Sequence, residues 1–416
     1  VFRIGSHIPV PYVDFKGIEA LSSSAKGAGG VLGLFDLFSG GALTSVSVFF
    51  LGIMPYITAS IIMQLLTVVL PSLEALQKEG EGGQKKITQY TRYLTVALAM
   101  LQSIGYVILF HNGSVLGGTN SLTDLTPRSF ILIVVTLTAG TALLMWMGEQ
   151  ITQRGIGNGS SMIIFAGIVA ELPSAIAGTL ELGRQGALST ALILLVIVMG
   201  ISVIAFIVFM ERAQRRLLIN YPKRQVGNRV YEGQTSFLPL KLNTSGVIPP
   251  IFASSLLLLP TTIATFAAQS DQTGIIATIS TYLGHGRPLF MLAYAGLIVF
   301  FAFFYTAIVF NPVETADNLK KQGGFIPGIR PGERTAEHID TVLTRITVLG
   351  AGYLTIICLL PELLISQFAL PFYFGGTSLL IVVSVTMDTV SQVHGHLLAH
   401  QYEGLVKKSK LRGRRR

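Results

Sequence analysis

The sequence predicts an all-α polytopic membrane protein, a ten-span inverted-repeat bundle whose first span is truncated in this chain. Three observations carry that expectation. Half of the 416 residues are hydrophobic and 12% are charged, with a mean hydropathy of +0.62, well to the apolar side of a soluble protein. Apolar runs of bilayer length, roughly 20 residues for about 30 Å of hydrocarbon, recur through most of the chain. Basic residues alternate by loop, as they do when successive loops lie on opposite sides of a membrane.

In chain order, the opening "VFRIGSHIPVP" reads as the last turns of a further helix running into a loop. Nine complete spans follow, at 47–70, 93–111, 129–148, 160–180, 188–210, 246–268, 288–310, 341–361 and 372–392. The segments 71–92, 149–157, 211–243, 311–345 and 393–416 hold 24 of the 30 Lys and Arg residues, which places them in the cytoplasm. The net charge of +9 is therefore mostly topology, and it argues against nucleic acid as the main partner.

Two stretches are related. "GIMPYITAS" at 52–60 and "GVIPPIFAS" at 246–254 agree at five of nine positions, and the loop charges run the two helices in opposite directions. That is the pattern of an inverted repeat about an axis in the membrane plane. The halves divide near "ELGRQGAL" at 181–188, giving an N-terminal half over 1–187 and a C-terminal half over 188–416 within one integrated membrane domain. Pro55, Pro249 and Pro250 remove backbone donors from the matched helices and weaken their ladders near one end, which makes the pair a candidate movable seam.

Several chemistries lack their residues. The lone Cys358 excludes disulfide frameworks and multi-cysteine metal sites. No G-x-x-x-x-G-K-[ST] occurs, so nucleotide hydrolysis by a P-loop is excluded. "GIGNGS" follows a span instead of a strand and reads as a tight cytoplasmic connection. His394, His396 and His400 near the end of the last span have no acidic cluster beside them, so no metal site is expected. Glu149, Glu211 and Asp388 lie near cytoplasmic ends of spans, leaving the midplane without the carboxylates that a coupled carrier or an intramembrane protease needs. Neither an enzyme nor a cofactor is expected.

Taken together, "SGGAL", "GIMPYITASIIMQLL", "GEQITQRGIGNG", "GVIPPIFASS", "NPVETADNLKKQGGFIPGIRPGE" and "PFYFGGTSLLIVV" closely resemble the SecY family, the central subunits of bacterial protein translocases. The resemblance implies a SecY-type bundle in the bacterial cytoplasmic membrane. Its waist would be a ring formed by Ile53, Ile57, Ile164, Ile251 and Ile381, with Ser160 where another aliphatic residue is expected. A hydrophobic constriction resists ions by dewetting, and aliphatic side chains can part around a peptide without reading its sequence. Ile57 and Ile251 are equivalent in the repeat. The glycine-flanked segment Leu34, Phe35, Asp36, Leu37, Phe38, Ser39, Gly40, Gly41, Ala42, Leu43 and Thr44 resembles the plug of the resting channel.

The same resemblance places a lateral gate on helices 51–66 and 246–263, with Pro55, Gln64, Pro249 and Ser255. Ten leucines of a signal helix entering lipid there would contribute roughly −3 to −6 kcal/mol, on the scale of the about 5.5 kcal/mol that inverts a two-state equilibrium. It also implies that Arg330, in the stiff loop "FIPGIRPG" at 325–332, docks the ATPase SecA or the ribosome together with Arg212, Arg215, Arg216, Lys223 and Arg224. The implied subunits are SecE and SecG, and the cargo is signal sequences and nascent polypeptides, some of which pass sideways into lipid. From the residues alone, a small-solute carrier built on an inverted repeat and a poreless assembly scaffold stay open as alternatives.

Overall fold

Within a bilayer the backbone must satisfy its own hydrogen bonds, which confines a spanning chain to helices or closed barrels. In the computed structural model, which describes residues 2–12, 46–111, 126–184, 190–222, 224–226, 229–231, 235–267, 288–368 and 376–413, a helix occupies each of the nine expected spans. A helical turn α1 (Phe2–Gly5) comes first, then α2 (Met54–Val69), α3 (Pro71–Lys78), α4 (Glu81–His111), α5 (Pro127–Arg154), α6 (Gly159–Arg184) and α7 (Thr190–Arg212). The second half holds strands β1 (Gln214–Asn220), β2 (Arg224–Val226), β3 (Arg229–Tyr231) and β4 (Thr235–Lys241), followed by α8 (Ile248–Ala267), α9 (Pro288–Val309), α10 (Pro312–Lys321), α11 (Glu333–Phe368) and α12 (Gly376–Gly413). By length and apolarity alone, Pro127–Arg154, Ile193–Arg212, Pro288–Lys321 and Glu333–Leu360 would each cross a bilayer, and Met54–Val69 with Pro71–Lys78 would do so as one bent pair.

Local chemistry sets the helix ends. Of the residues expected to open the first complete span, Ser47 bridges Pro9 and residues 48–53 form turns, because Gly52 takes a left-handed φ of 57° and α2 starts only with Pro55 in its first turn. Pro71 stops α2, since it has no N–H to continue the ladder, and α3 leaves at 98°. At 31 residues α4 is about 46 Å long, so its charged first turns project beyond the hydrocarbon. Asn311 caps α10 by accepting from the N–H groups of Val313 (3.1 Å) and Glu314 (3.3 Å). Glu314 in the first turn and Lys320 and Lys321 in the last complement the helix dipole.

The helices close into a ring. Its contacts run α2 to α4, α4 to α5, α5 to α6, α6 to α12, α12 to α11, α11 to α9, α9 to α8, and α8 back to α2. Exchanging α2 with α8, α4 with α9, α5 with α11 and α6 with α12 maps this circuit onto itself. The four helices of each half therefore meet the other half at two seams, α2 with α8 and α6 with α12. Helix α7 lies outside the circuit against α6 and α12, with Leu194, Leu195, Val198 and Ile201 exposed, as befits a lipid-facing surface.

The strands were not foreseen from sequence: the predominantly helical fold carries a β-hairpin in the loop between α7 and α8. Strands β1 and β4 pair antiparallel from Gln214 opposite Lys241 to Asn220 opposite Thr235. Alternation turns Leu217 and Ile219 inward, where with Leu240 they meet Leu319, Ile326, Ile339 and Ile346 in a second hydrophobic core. Loops 211–243 and 311–345 thus fold into one extramembrane unit built on the ends of α7, α8, α10 and α11.

Candidate functional site

All five isoleucines of the expected waist are buried in the main core, with exposures from 0% at Ile381 to 7% at Ile251. Ile57 comes from the first turn of α2, with Ile53 immediately before that helix, Ile164 from α6, Ile251 from α8 and Ile381 from α12. These are the four helices of the two seams. Ile57 and Ile251 are already paired by the repeat, and the ring of contacts pairs Ile164 with Ile381 as well. Both are the sixth residue of their helices, in "GSSMII" at 159–164 and "GTSLLI" at 376–381. That second internal match was legible in the sequence but was overlooked, because only the contact circuit shows which helices to align. Ser160, where a further aliphatic residue was expected, is half-buried in the first turn of α6, its backbone N–H donating to Asn158 Oδ1 at 3.0 Å.

At the α2–α8 seam, the expectation that proline weakens both helices is corrected. Pro55 sits at the first turn of α2, and Pro249 and Pro250 follow Ile248, the first residue of α8. First-turn N–H groups have no intrahelical partner in any case, so these prolines start the helices without breaking a ladder. Gly52 and Gly246, equivalent in the repeat, share a left-handed backbone with φ of 57° and 64°. Ala59 and Ala253, also equivalent, are both 0% exposed. Gln64 Oε1 and Ser255 Oγ are buried, and neither has a hydrogen-bond partner among the described residues. The expected plug, 34–44, lies outside the described residues.

Of the carboxylates singled out in the sequence, Glu149 and Glu211 lie near the C-terminal ends of α5 and α7, whereas Asp388 lies within α12. Glu149 accepts a bidentate pair from Arg92, with Nε to Oε1 at 2.9 Å and Nη2 to Oε2 at 2.7 Å, joining α4 to α5. Glu211 accepts from Asn243 Nδ2 at 2.6 Å. The glycine-rich connection between α5 and α6 is held by Gly157 N–H donating to Gln392 Oε1 at 2.7 Å. His394 and His396 are exposed on α12, and the side chain of His400 lies outside the described residues.

Arg330 stands on a braced loop. Its carbonyl accepts from Thr335 Oγ1 at 2.9 Å, Ile326 is sunk in the second core, and Phe325 exchanges backbone hydrogen bonds with Asn220 of β1 at 2.9 and 3.0 Å. Gly328 and Gly332 supply left-handed turns with φ of 84° and 108° on either side. The guanidinium is exposed and makes no ion pair among the described residues. Arg212, Arg215 and Arg216 are exposed at the root of the hairpin. Lys223 lies outside the described residues, as does the side chain of Arg224. Sequence reasoning missed the apolar pair beside them, Leu218 (39% exposed) opposite Phe237 (56% exposed), whose signal is the period-two alternation of 214–220.

Comparison with known proteins accounts for this arrangement. The SecY family profile matches residues 47–390. The protein translocase subunit SecY of Escherichia coli K12 is 55% identical over 414 residues, covering 99% of this chain and 92% of that relative. Its counterpart in Rickettsia typhi is 52% identical over 413 residues, covering 99% and 94%. Among solved structures, one described as a protein conducting channel superposes with a TM-score of 0.66 at 19% identity, covering 94% of this chain and 88% of that one. Sec61 from a canine ribosome-channel complex gives 0.62 at 18% identity, with the same coverage. At such identities the structures speak for the fold, and the curated relatives for the family. The chain belongs to the SecY family.

Proposed function

We propose that this chain is the protein-conducting channel of a bacterial Sec translocase. It is a multi-pass protein of the cytoplasmic membrane, and it moves unfolded secretory chains across while releasing membrane segments sideways between α2 and α8. The observation that carries the reading is the origin of the five isoleucines: each seam contributes from both of its helices, so parting the halves widens the waist. The aliphatic lining seals against ions when closed and offers a passing peptide no fixed hydrogen-bond partner. The symmetric circuit of contacts supports the division into halves at 187 and 188.

The residues 34–44 act as plug. Pro55, Gln64, Pro249 and Ser255 line the gate, where the unpartnered Gln64 and Ser255 oxygens are available to a hydrogen-bonding partner. Arg330, with Arg212, Arg215, Arg216, Lys223 and Arg224, docks the ATPase SecA or a ribosome, and SecE and SecG complete the complex. The energy comes from the docked partner, since the chain carries no P-loop motif of its own.

A photo-crosslinker at position 251 of the full-length protein, challenged with a ribosome-arrested secretory precursor, tests the reading. The control site is Ile201 on α7, 63% exposed. Crosslinks at 251 and not at 201, reduced several-fold by Arg330→Glu, are the expected result. Bound precursor that never reaches 251 would remove the waist assignment and return the solute carrier or scaffold.

A further inference from the structure

The hairpin is fastened at both ends to membrane helices. Strand β1 begins two residues after the end of α7, and β4 runs toward α8 through residues 242–247. Leu242 N–H donates to Ala213 carbonyl at 2.9 Å, prolonging the ladder by one bond. Asn243, 4% exposed, then uses both amide protons: Nδ2 donates to Glu211 Oε1 at 2.6 Å and to the Gly246 carbonyl at 3.1 Å. Its Oδ1 accepts from Ser245 Oγ at 3.2 Å, so all three contacts agree on one orientation of the amide.

Gly246 is the left-handed glycine from which α8 departs. Helix α11 closes the other side, where a Cβ on Gly350 would come within 2.7 Å of the Leu242 carbonyl. The connector is therefore clamped between the end of α7 and α11. A hydrogen bond to a carboxylate is about twice as strong as a neutral one, and the buried Asn243 has no spare partner to turn to. The connector thus has little slack between the hairpin and the first turn of α8.

We propose that Glu211, acting through Asn243, is a positioning residue that holds the first turn of α8 and ties it to the hairpin, so that a displacement of the hairpin moves the α2–α8 seam. The coupling to gating rests on the function proposed above; the positioning does not.

The test uses the full-length protein in its complex, in vesicles of phosphatidylethanolamine and phosphatidylglycerol, and reads amide hydrogen exchange at residues 251–254. Without any ligand, Glu211→Ala and Asn243→Asp are expected to speed exchange there roughly tenfold, leaving α2 unchanged. Glu211→Gln, whose amide oxygen can accept the same bond, restores slow exchange. Loss of fold would instead speed exchange everywhere, and Gln would then be read alone against the parent. Unchanged exchange at 251–254 in Glu211→Ala, or no rescue by Gln, overturns the inference whether or not anything binds the hairpin.

A second arm adds ribosomes. In the parent they are expected to alter exchange at 251–254, and in Glu211→Ala to bind within about twofold of parental affinity without that change. Failure of the parent to bind would count against the docking surface, with the positioning result standing. Undiminished transmission in Glu211→Ala would overturn the coupling.

Discussion

Helices α2 and α8 begin with the same device, a left-handed glycine followed three residues later by a proline, yet what holds each start in place differs in kind. At α2 the anchor is apolar. Phe49, Phe50 and Leu51 are at most 3% exposed; Phe2 of α1 stacks on Phe49 with ring centroids 6.0 Å apart, and Phe50 meets Tyr106 of α4 edge-on at 5.0 Å. At α8 the anchor is polar, the Glu211–Asn243–Gly246 chain of hydrogen bonds, and it leads to the hairpin. The difference teaches that an inverted repeat fixes how a helix starts, while the side of the membrane on which it starts decides what can restrain it. A polar bracket belongs at the watery face, where the loops of the hairpin lie, and an apolar wedge suits the opposite end.

The largest effect is expected from removing the apolar anchor. Phe50→Ala deletes a ring that is 2% exposed and should destabilise by about 3–5 kcal/mol, read as a lowered Tm of the purified complex. Hydrogen exchange should rise around α2 and leave 251–254 protected. Equal loosening of both helix starts would erase the distinction between the two anchors.

The shared device predicts a matched pair of smaller effects. Gly52→Ala and Gly246→Ala each place a Cβ on left-handed backbone, at a cost of about 1–2 kcal/mol. At Gly246 nothing lies within 4 Å of the added atom, so the cost there is conformational alone. Denaturation midpoints of the two variants should shift alike, and a shift in only one would break the two-fold equivalence of the starts.

The smallest effect is expected at the Arg92–Glu149 pair, a polar contact between α4 and α5 that restrains no helix start. With side chains 44% and 11% exposed, Arg92→Ala should cost about 0.2–1 kcal/mol at low ionic strength and less as salt screens the pair. A loss as large as that of Phe50→Ala would place a cytoplasmic ionic anchor in the N-terminal half too.

A helix in each of the nine expected runs was legible because it is a property of one continuous stretch: enough apolar side chains in sequence, closed on their own backbone. The expected waist was less so. Five isoleucines among many look alike in composition, and they were singled out through resemblance to a family; their common origin at the two seams emerges only from the contacts between halves. The match of 159–164 to 376–381 lay in plain sight, but two short apolar hexamers 217 residues apart carry no weight until α6 and α12 are neighbours.

The extramembrane unit shows the same limit. Arg330 and its prolines were conspicuous, whereas Leu217, Ile219, Ile326 and Ile346 become a core only when the hairpin folds back on α10 and α11. Sequence by itself determined the membrane class and the match between the two helices that carry Pro55 and Pro249, because hydrophobic length and the spacing of glycine and proline are local. Tertiary structure alone decided that loops 211–243 and 311–345 share a core and that Glu211 reaches Asn243. Each of these depends on residues distant in the chain being brought within a few ångströms, and no local pattern encodes that distance.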